Sequence, residues 1–336
     1  MLPTCLLFLL SAAIIYLSCE FFVNGIEWCG RRLDLGATAV GSVLAAFGTA
    51  LPESAVTFIA VVFGKTPAER DLGVGAAMGG PLVLATLAYA VVGATLLACR
   101  VSMGTRLDDR GISGRRMNAD QAAFLGIFAA KVALGTVAFA LKPALGVLFI
   151  LAYAVYVWRE VQRERAAGDT GDIEPLKVRP RSADPGWGWV LLQTVAALAV
   201  IAGASQVFVA QLQEIGTVLR WPPHLVALLL SPVATELPET MNAVIWVRQG
   251  KERLALANIS GAMMIQATIP SALGILFTPW RFDRGLLASG LATALAIAWL
   301  WTLFRRRAVT PRGLLAAAAF YVAFGAFLLL DSAGRA

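Results

Sequence analysis

The sequence predicts an all-α, polytopic membrane protein. Three observations carry that prediction: the composition, the length of the apolar runs and a short pattern that occurs twice. Hydrophobic residues make up 58% of the chain and charged residues only 15%, and the mean hydropathy is +0.73. A soluble globular domain carries about 25% charged residues. The composition therefore excludes a soluble domain and favours a chain that crosses the bilayer many times.

Ten apolar segments are predicted to cross the bilayer, because a transmembrane helix needs about 20 mostly apolar residues. These predicted spans are 3–23, 36–63, 72–99, 121–140, 143–158, 187–210, 222–247, 254–277, 285–304 and 312–331. The fourth span is interrupted by Lys131. We expect this side chain to snorkel towards the lipid headgroups rather than to pair inside the helix bundle.

The distribution of basic residues predicts the orientation of the chain. With ten spans and the N-terminus outside, the inside loops hold 20 lysines and arginines and the outside segments hold 7. Because cytoplasmic loops are enriched in these residues, both termini are predicted to lie outside the cell (inner) membrane. The hydrophilic stretch 159–186 is then a cytoplasmic linker, which we interpret as a solvated connector between two units, residues 1–158 and 187–336.

The charge and the reactive side chains exclude two other classes of function. The net charge is +7, but the basic residues lie in loops, so the lipid bilayer rather than nucleic acid is the predicted partner. The four cysteines show no metal-ligand spacing, and His224 is the only histidine. No nucleophile–base pair or metal cluster can be assembled from these residues. Neither an enzyme nor a cofactor is predicted, and the oligomeric state stays open.

The short repeated pattern divides the chain into two related halves. Residues 48–53 read Gly-Thr-Ala-Leu-Pro-Glu, and residues 234–239, 186 positions later, read Ala-Thr-Glu-Leu-Pro-Glu. Further on, Gly79 matches Gly261 after a four-residue difference in the intervening loop. The repeat unit covers five predicted helices, and an odd number of spans forces the two copies into opposite orientations. Inverted repeats of this kind build secondary transporters with the ion site near the midplane.

The polar residues of the repeats predict a site for a hard cation. Threonine and glutamate stand four residues apart in each copy, so they share a helix face, and the neighbouring proline frees backbone carbonyls. Calcium binds six to eight oxygens from carboxylates, amides, carbonyls and water, and soft metals are disfavoured because no histidine or cysteine cluster is present. The predicted ligands are Thr49, Glu53, Thr235, Glu236, Glu239, Asn258 and Gln266.

These residues resemble the alpha-repeats of the sodium/calcium exchanger family, within the calcium/cation antiporter superfamily. Such repeats typically read G-T-S-L-P-E in one helix and G-N-x-x-G-S-N-x-x-N, or a final D, in the next. The first pattern stands here at 48–53 and 234–239, and the second at 75–84 and, in a better match, at 257–266. The chain is similar to a bacterial-type member of the family with a divergent first repeat.

The resemblance implies ion-binding roles at the matching positions. It implies central acidic calcium ligands at Glu53 and Glu239, ion-facing oxygens at Thr49 and Thr235, and amide or carboxylate ligands at Asn258 and Gln266. It also implies that the first and sixth predicted helices form a tilted pair that slides during transport. Ala50, Gly80 and Ala262 replace serines of the family pattern, whereas the second half gains a carboxylate at Glu236.

The predicted function is secondary active antiport by alternating access, in which calcium or a related divalent cation is exchanged for sodium or protons. Three neighbouring carboxylates would not all stay ionised in an empty site, so at least one is expected to hold a proton until a cation enters. We therefore hypothesise that protons drive the exchange. A passive cation channel and a degenerate member that transports nothing are the alternatives that the residues leave open.

Overall fold

The structure is a computed structural model of the 336-residue chain. It describes residues 2–35, 39–65, 67–99, 112–165, 173–218, 229, 231–306 and 309–333. Within these ranges the regular structure is helical, and none of the described residues lies in a β-strand. The all-α prediction is confirmed.

Thirteen α-helices follow one another along the described residues, and several are interrupted by single turns of another helical type. They are α1 (Leu2–Arg32), α2 (Ala46–Phe58), α3 (Pro67–Val83), α4 (Tyr89–Ala98), α5 (Ile112–Thr136), α6 (Gly146–Arg165), α7 (Trp187–Val218), α8 (Ser231–Thr235), α9 (Leu237–Arg248), α10 (Glu252–Phe277), α11 (Arg284–Arg305), α12 (Pro311–Leu315) and α13 (Ala318–Ala333). Turns of π-helix, Val40–Ala45 and Ile59–Phe63, flank α2, and a third, Leu84–Ala88, joins α3 to α4.

Seven helical stretches of the described residues are long and apolar enough to cross a membrane, so this is a multi-pass membrane protein. They are Pro3–Arg32, Gly73–Ala98, Pro143–Gln162, Trp187–Phe208, Glu252–Phe277, Arg284–Arg305 and Pro311–Asp331, and each overlaps a predicted span. The other three predicted spans, 36–63, 121–140 and 222–247, are mostly helical where they are described, apart from 137–140 and the break at Glu236, but they are not among the seven. Residues 36–38 and 222–228 lie outside the described ranges. The count of ten and the inverted repeat stay predictions.

Helix α10 forms the centre of the molecule. It contacts α2, α3, α5, α6 and α9, and nearly all of its side chains are buried. Two glycines allow the π-helical turn before α2 to approach it closely. A Cβ added at Gly261 would lie 2.6 Å from the carbonyl carbon of Ser42, and one at Gly41 would lie 2.9 Å from the carbonyl oxygen of Leu254. Small residues of this kind let membrane helices pack backbone to backbone.

The described part of the linker, residues 173–185, packs against α1 and α7, which run side by side. Trp28 of α1 donates its indole N–H to the carbonyl oxygen of Glu174 over 3.0 Å. The Gln193 amide of α7 donates to Asn24 Oδ1 of α1 over 2.9 Å, and the backbone N–H of Lys177 donates to the same Asn24 oxygen over 3.0 Å. Leu176 is fully buried. This segment therefore ties the two long helices together, while most of its other side chains stay exposed.

Helix α1 is joined to the end of α9 by a buried carboxylate. Glu27 is 5% exposed. It accepts hydrogen bonds from the Trp246 indole over 2.8 Å and from the Lys251 ammonium over 2.6 Å. A second glutamate of α1, Glu20, pairs with Lys177 over 3.7 Å, and both side chains of that pair are about one-third exposed. With the pair of Arg32 and the exposed Asp184, the described residues of this helix carry one buried ion pair and two more exposed ones.

The two lysine–glutamate pairs of α1 predict unequal losses of stability when each lysine is removed. Lys251→Met leaves the buried Glu27 carboxylate without its cation, and we expect a loss of about 1–3 kcal/mol in the free energy of unfolding. Lys177→Met is the matched control and should cost less than about 1 kcal/mol, because exposed pairs contribute little. Thermal unfolding of the detergent-solubilised variants measures both. Equal shifts in Tm would contradict a structural role for the buried pair.

Candidate cation site

The helix that carries the second Pro-Glu motif is broken at Glu236. This residue separates α8 from α9, and its backbone angles, φ −87° and ψ 5°, lie outside the α-helical region. Pro238 occupies the first turn of α9, a position where proline is favoured because its missing N–H costs nothing there. The backbone of Glu236 is satisfied at the break. Its N–H donates to Pro232 over 3.0 Å, and its carbonyl accepts from the Thr240 N–H over 3.1 Å.

The side chain of Glu236 meets the central helix α10. The Gln266 amide nitrogen donates to Glu236 Oε1 over 2.5 Å. Glu236 is 0% exposed and Gln266 is 2% exposed, so the hydrogen bond joins a carboxylate and an amide away from solvent. Both residues were predicted ligands, and the structure brings them into direct contact.

Glu239 lies one turn further along, in the first turn of α9, and it is 1% exposed. The fully buried Asn258 of α10 donates its amide N–H to the Glu239 carbonyl oxygen over 3.1 Å. This bond fixes the register between α9 and α10. Because Asn258 and Gln266 stand eight residues apart on α10, they lie on one face of the helix. The stripe of α10 that carries these two amides therefore meets the side chain of Glu236 and the backbone of Glu239.

The predicted threonine ligands bond to their own helices. Thr49 donates its hydroxyl to the Ala45 carbonyl over 3.0 Å, and Thr235 donates to the Pro232 carbonyl over 3.2 Å. A hydroxyl that donates in this way keeps its lone pairs for a cation. Glu53 has its backbone in α2, but its side chain lies outside what the structure describes. Its predicted role stays a prediction.

Lys131 lies inside the bundle, and the prediction that it snorkels to the lipid is wrong. Its side chain is fully buried and donates to the Ala77 carbonyl of α3 over 2.9 Å and to the Ser271 hydroxyl of α10 over 3.1 Å. Ala77 stands four residues before Pro81, which has no N–H to offer to that carbonyl. The ammonium thus satisfies a backbone group that a proline leaves open, in the interior where both interactions are strong.

A glycine that sequence reasoning interpreted only as a lost oxygen contacts the Glu236–Gln266 pair. A Cβ added at Gly80 would lie 2.7 Å from Glu236 Oε1 and would overlap Gln266 Oε1. The sequence signal that could have identified this contact is a paired change relative to the family pattern. Position 80 has lost the serine side chain, and position 236 carries a side chain larger than serine. Sequence spacing alone does not show that these two positions touch.

The arrangement offers oxygen ligands and suits a hard cation such as calcium or sodium. A buried carboxylate and an amide meet at the break, in Glu236 and Gln266, and a second carboxylate, that of Glu239, is buried one turn further along. Among the residues that the structure describes, no group of three or more His, Cys, Asp or Glu side chains could hold a metal ion. A cation bound here would therefore need oxygens from carboxylate and amide groups together, rather than from a cluster of acidic side chains.

The chain matches the family model described as "Sodium/calcium exchanger protein" over residues 4–161 and 189–331. That is most of the chain, and the protein belongs to the sodium/calcium exchanger family. The family consists of transporters rather than enzymes.

Two curated relatives and several solved structures are similar to the chain over most of its length. The CaxA protein of Alkalimonas amylolytica, which carries an antiporter name, is 23% identical over 84% of this chain and 83% of its own length. The inner membrane protein YrbG of Escherichia coli K12 is 24% identical over 93% of this chain and 92% of its own. The sodium-calcium exchanger NCX_Mj, free of sodium and calcium, superposes with a TM-score of 0.72 at 17% identity and covers 97% and 98% of the two chains. This structural likeness shows a shared fold.

Two buried asparagines provide a test of the contact between α9 and α10. Asn258→Leu removes the hydrogen bond to the Glu239 carbonyl, whereas the fully buried Asn242 has no hydrogen-bond partner for either amide atom within the described residues. We expect Asn258→Leu to be less stable than Asn242→Leu by about 1 kcal/mol, because only the first loses a bond. Thermal unfolding in detergent checks the order. The reverse order would show that Asn258 does not fix the register of the two helices.

Proposed function

We propose that this member of the sodium/calcium exchanger family exchanges calcium, or a related divalent cation, for sodium or protons across the cell membrane by alternating access. The observation that carries the proposal is the buried set of Glu236, Gln266 and Glu239 at a helix break. Ionisable groups inside a membrane bundle are costly and line substrate pathways. Helix breaks at membrane depth recur at the ion sites of secondary transporters.

Two reciprocal contacts support an inverted-repeat architecture of ten spans. Gly79 and Gly261 are matched positions of the two halves. A Cβ at Gly79 would overlap the ring of Pro232 in the second half, and one at Gly261 would overlap the backbone of Ser42 in the first half. Each glycine therefore packs against the segment that leads into the Pro-Glu motif of the opposite half. Two crossed copies of one five-helix unit, with both termini outside and the linker cytoplasmic, account for this exchange of contacts.

The pairing of α1 with α7 supports the part of the proposal that concerns movement. These helices correspond to the first and sixth predicted spans, which would slide past the remaining helices during alternating access. The segment 173–185 and the Asn24–Gln193 hydrogen bond join these two helices to each other. A pair held together in this way can move as one body, which is what the sliding of two helices requires.

The transport proposal is tested by calcium-45 uptake into proteoliposomes under separately imposed sodium and proton gradients. We expect uptake against a calcium gradient with one of the two ions, and the ion that drives it is the coupling ion. Calcium flux that only runs down its own gradient, and needs neither ion, would instead identify a passive channel. Absence of flux in protein that is folded and inserted would identify the degenerate, non-transporting alternative.

The glutamates of the two motifs are tested by removal of their charge. Glu239→Gln and Glu53→Gln should each reduce calcium uptake to the background of empty liposomes, because a neutral amide is a far weaker ligand for calcium than a carboxylate. Glu214→Gln, on an exposed position of α7, is the matched control and should transport as the wild type does. Membrane insertion and size-exclusion behaviour should be unchanged in all three. Wild-type uptake by either motif variant would remove that glutamate from the site.

A further inference from the structure

The absence of a side chain at Gly80 shapes the cation site. Gly80 lies on α3, is buried, and faces the paired side chains of Glu236 and Gln266. An added Cβ would lie 2.7 Å from Glu236 Oε1 and 2.9 Å from Gln266 Cδ, and it would overlap Gln266 Oε1. Real Cβ atoms are essentially never found this close to other heavy atoms. The pair can therefore hold its observed position only while position 80 has no side chain.

The neighbouring Gly79 has a different role from that of Gly80. A Cβ at Gly79 would overlap the Pro232 ring and lie 3.1 Å from Pro232 Cβ, and a proline ring cannot move aside without its backbone. Gly79 thus allows α3 to touch the segment before the break. At Gly80 the atoms in the way are the ends of two side chains, which can move. A larger residue at 80 would displace the carboxylate and the amide while the helices stay packed.

The backbone of Gln266 is held by a separate contact. The Ser271 hydroxyl donates to the Gln266 backbone carbonyl oxygen over 3.3 Å, and Ser271 in turn accepts from the Lys131 ammonium over 3.1 Å. This stretch of α10 is therefore fixed in place by its own contacts. The Gln266 side chain reaches from a fixed backbone across the front of Gly80 to the helix break.

We infer that Gly80 is a specificity-determining positioning residue for the transported cation. It creates the space in which Gln266 holds the Glu236 carboxylate at the break. It touches no ion itself and acts through these two side chains. The space lets a carboxylate from α8–α9, instead of an oxygen from α3, supply the ligand on this side of the site. A full negative charge there favours a divalent over a monovalent ion, because the attraction scales with the charge of the cation.

The inference rests on the proposed function, and direct calcium binding tests it without transport. Calcium affinity of the purified full-length protein is measured by isothermal titration calorimetry in detergent for the wild type and Gly80→Ala. The expected result is a loss of about 10- to 100-fold in calcium affinity, the usual effect of disturbing groups that orient metal ligands. Sodium affinity, measured by competition, should change much less. Gly75→Ala is the matched control on the same helix, since a Cβ there meets no atom within 4 Å.

A double-mutant cycle separates positioning from a general loss of structure. Gln266→Ala removes the atoms that a Cβ at 80 would strike first. Gly80→Ala should therefore lower calcium affinity strongly in the wild-type background and only slightly, less than about threefold, in the Gln266→Ala background. Effects that multiply independently would show that the two residues do not act through one contact. Thermal unfolding of each variant verifies that the protein is folded.

The outcomes distinguish this inference from the proposed function. Wild-type calcium binding together with unchanged affinity in Gly80→Ala would overturn the role of Gly80 and leave the exchanger proposal intact. A folded wild-type protein that binds no calcium, strontium or other divalent cation would overturn both. A selective loss of divalent affinity in Gly80→Ala, with Gly75→Ala unaffected, would support the inference.

Discussion

The organisation of the bundle depends on the need to satisfy backbone carbonyls that prolines leave open inside hydrocarbon. No water is available there, and each unsatisfied group costs several kcal/mol. Pro81 and Pro270 each lie inside a helix beside the site and leave one backbone carbonyl without its usual donor. Lys131 donates to the Ala77 carbonyl that Pro81 leaves open, and Ser271, bonded to the same ammonium, donates to the carbonyl four residues before Pro270. The buried Lys131 ammonium thus helps to satisfy the carbonyls that prolines leave open in two helices. It holds both helices in place around the site.

The site follows from this support because precise side-chain placement needs a fixed backbone. Helices α3 and α10 are held at their proline positions, and the glycines of α3 bring it against the segment before Glu236. The resulting gap is filled by a carboxylate and an amide at 2.5 Å. Backbone irregularity, which is costly in a membrane, thereby brings buried oxygen-bearing side chains together. The same glycines would be unremarkable surface residues if α3 faced the lipid.

Much of the fold could be predicted from the sequence, because the sequence patterns that determine it are local. Apolar length predicted the membrane class, and the motifs predicted the family and named Glu236 and Gln266 as members of one site, although not their direct contact. The sequence could not predict the burial of Lys131. A single charged residue in an apolar run gives the same sequence pattern whether its helix face contacts lipid or protein. The contacts of residues 173–185 with α1 and α7 were not predicted for a related reason. The polar composition of this segment is typical of a solvated loop, and it does not show which helices the segment touches.

The two halves of the site use one motif in two different ways. In the first half, α2 runs without interruption through Pro52 and is flanked by π-helical turns, whereas in the second half the chain breaks at Glu236. The two motifs differ at their third position. The first has Ala50, and alanine is the strongest helix former, whereas the second has Glu236, which accepts a hydrogen bond from α10. A carboxylate anchored to a neighbouring helix stabilises the break, and an alanine offers no such anchor. The two halves therefore differ in backbone at the predicted ligands, since the first carries Glu53 on a continuous helix and the second carries Glu236 and Glu239 at a broken one.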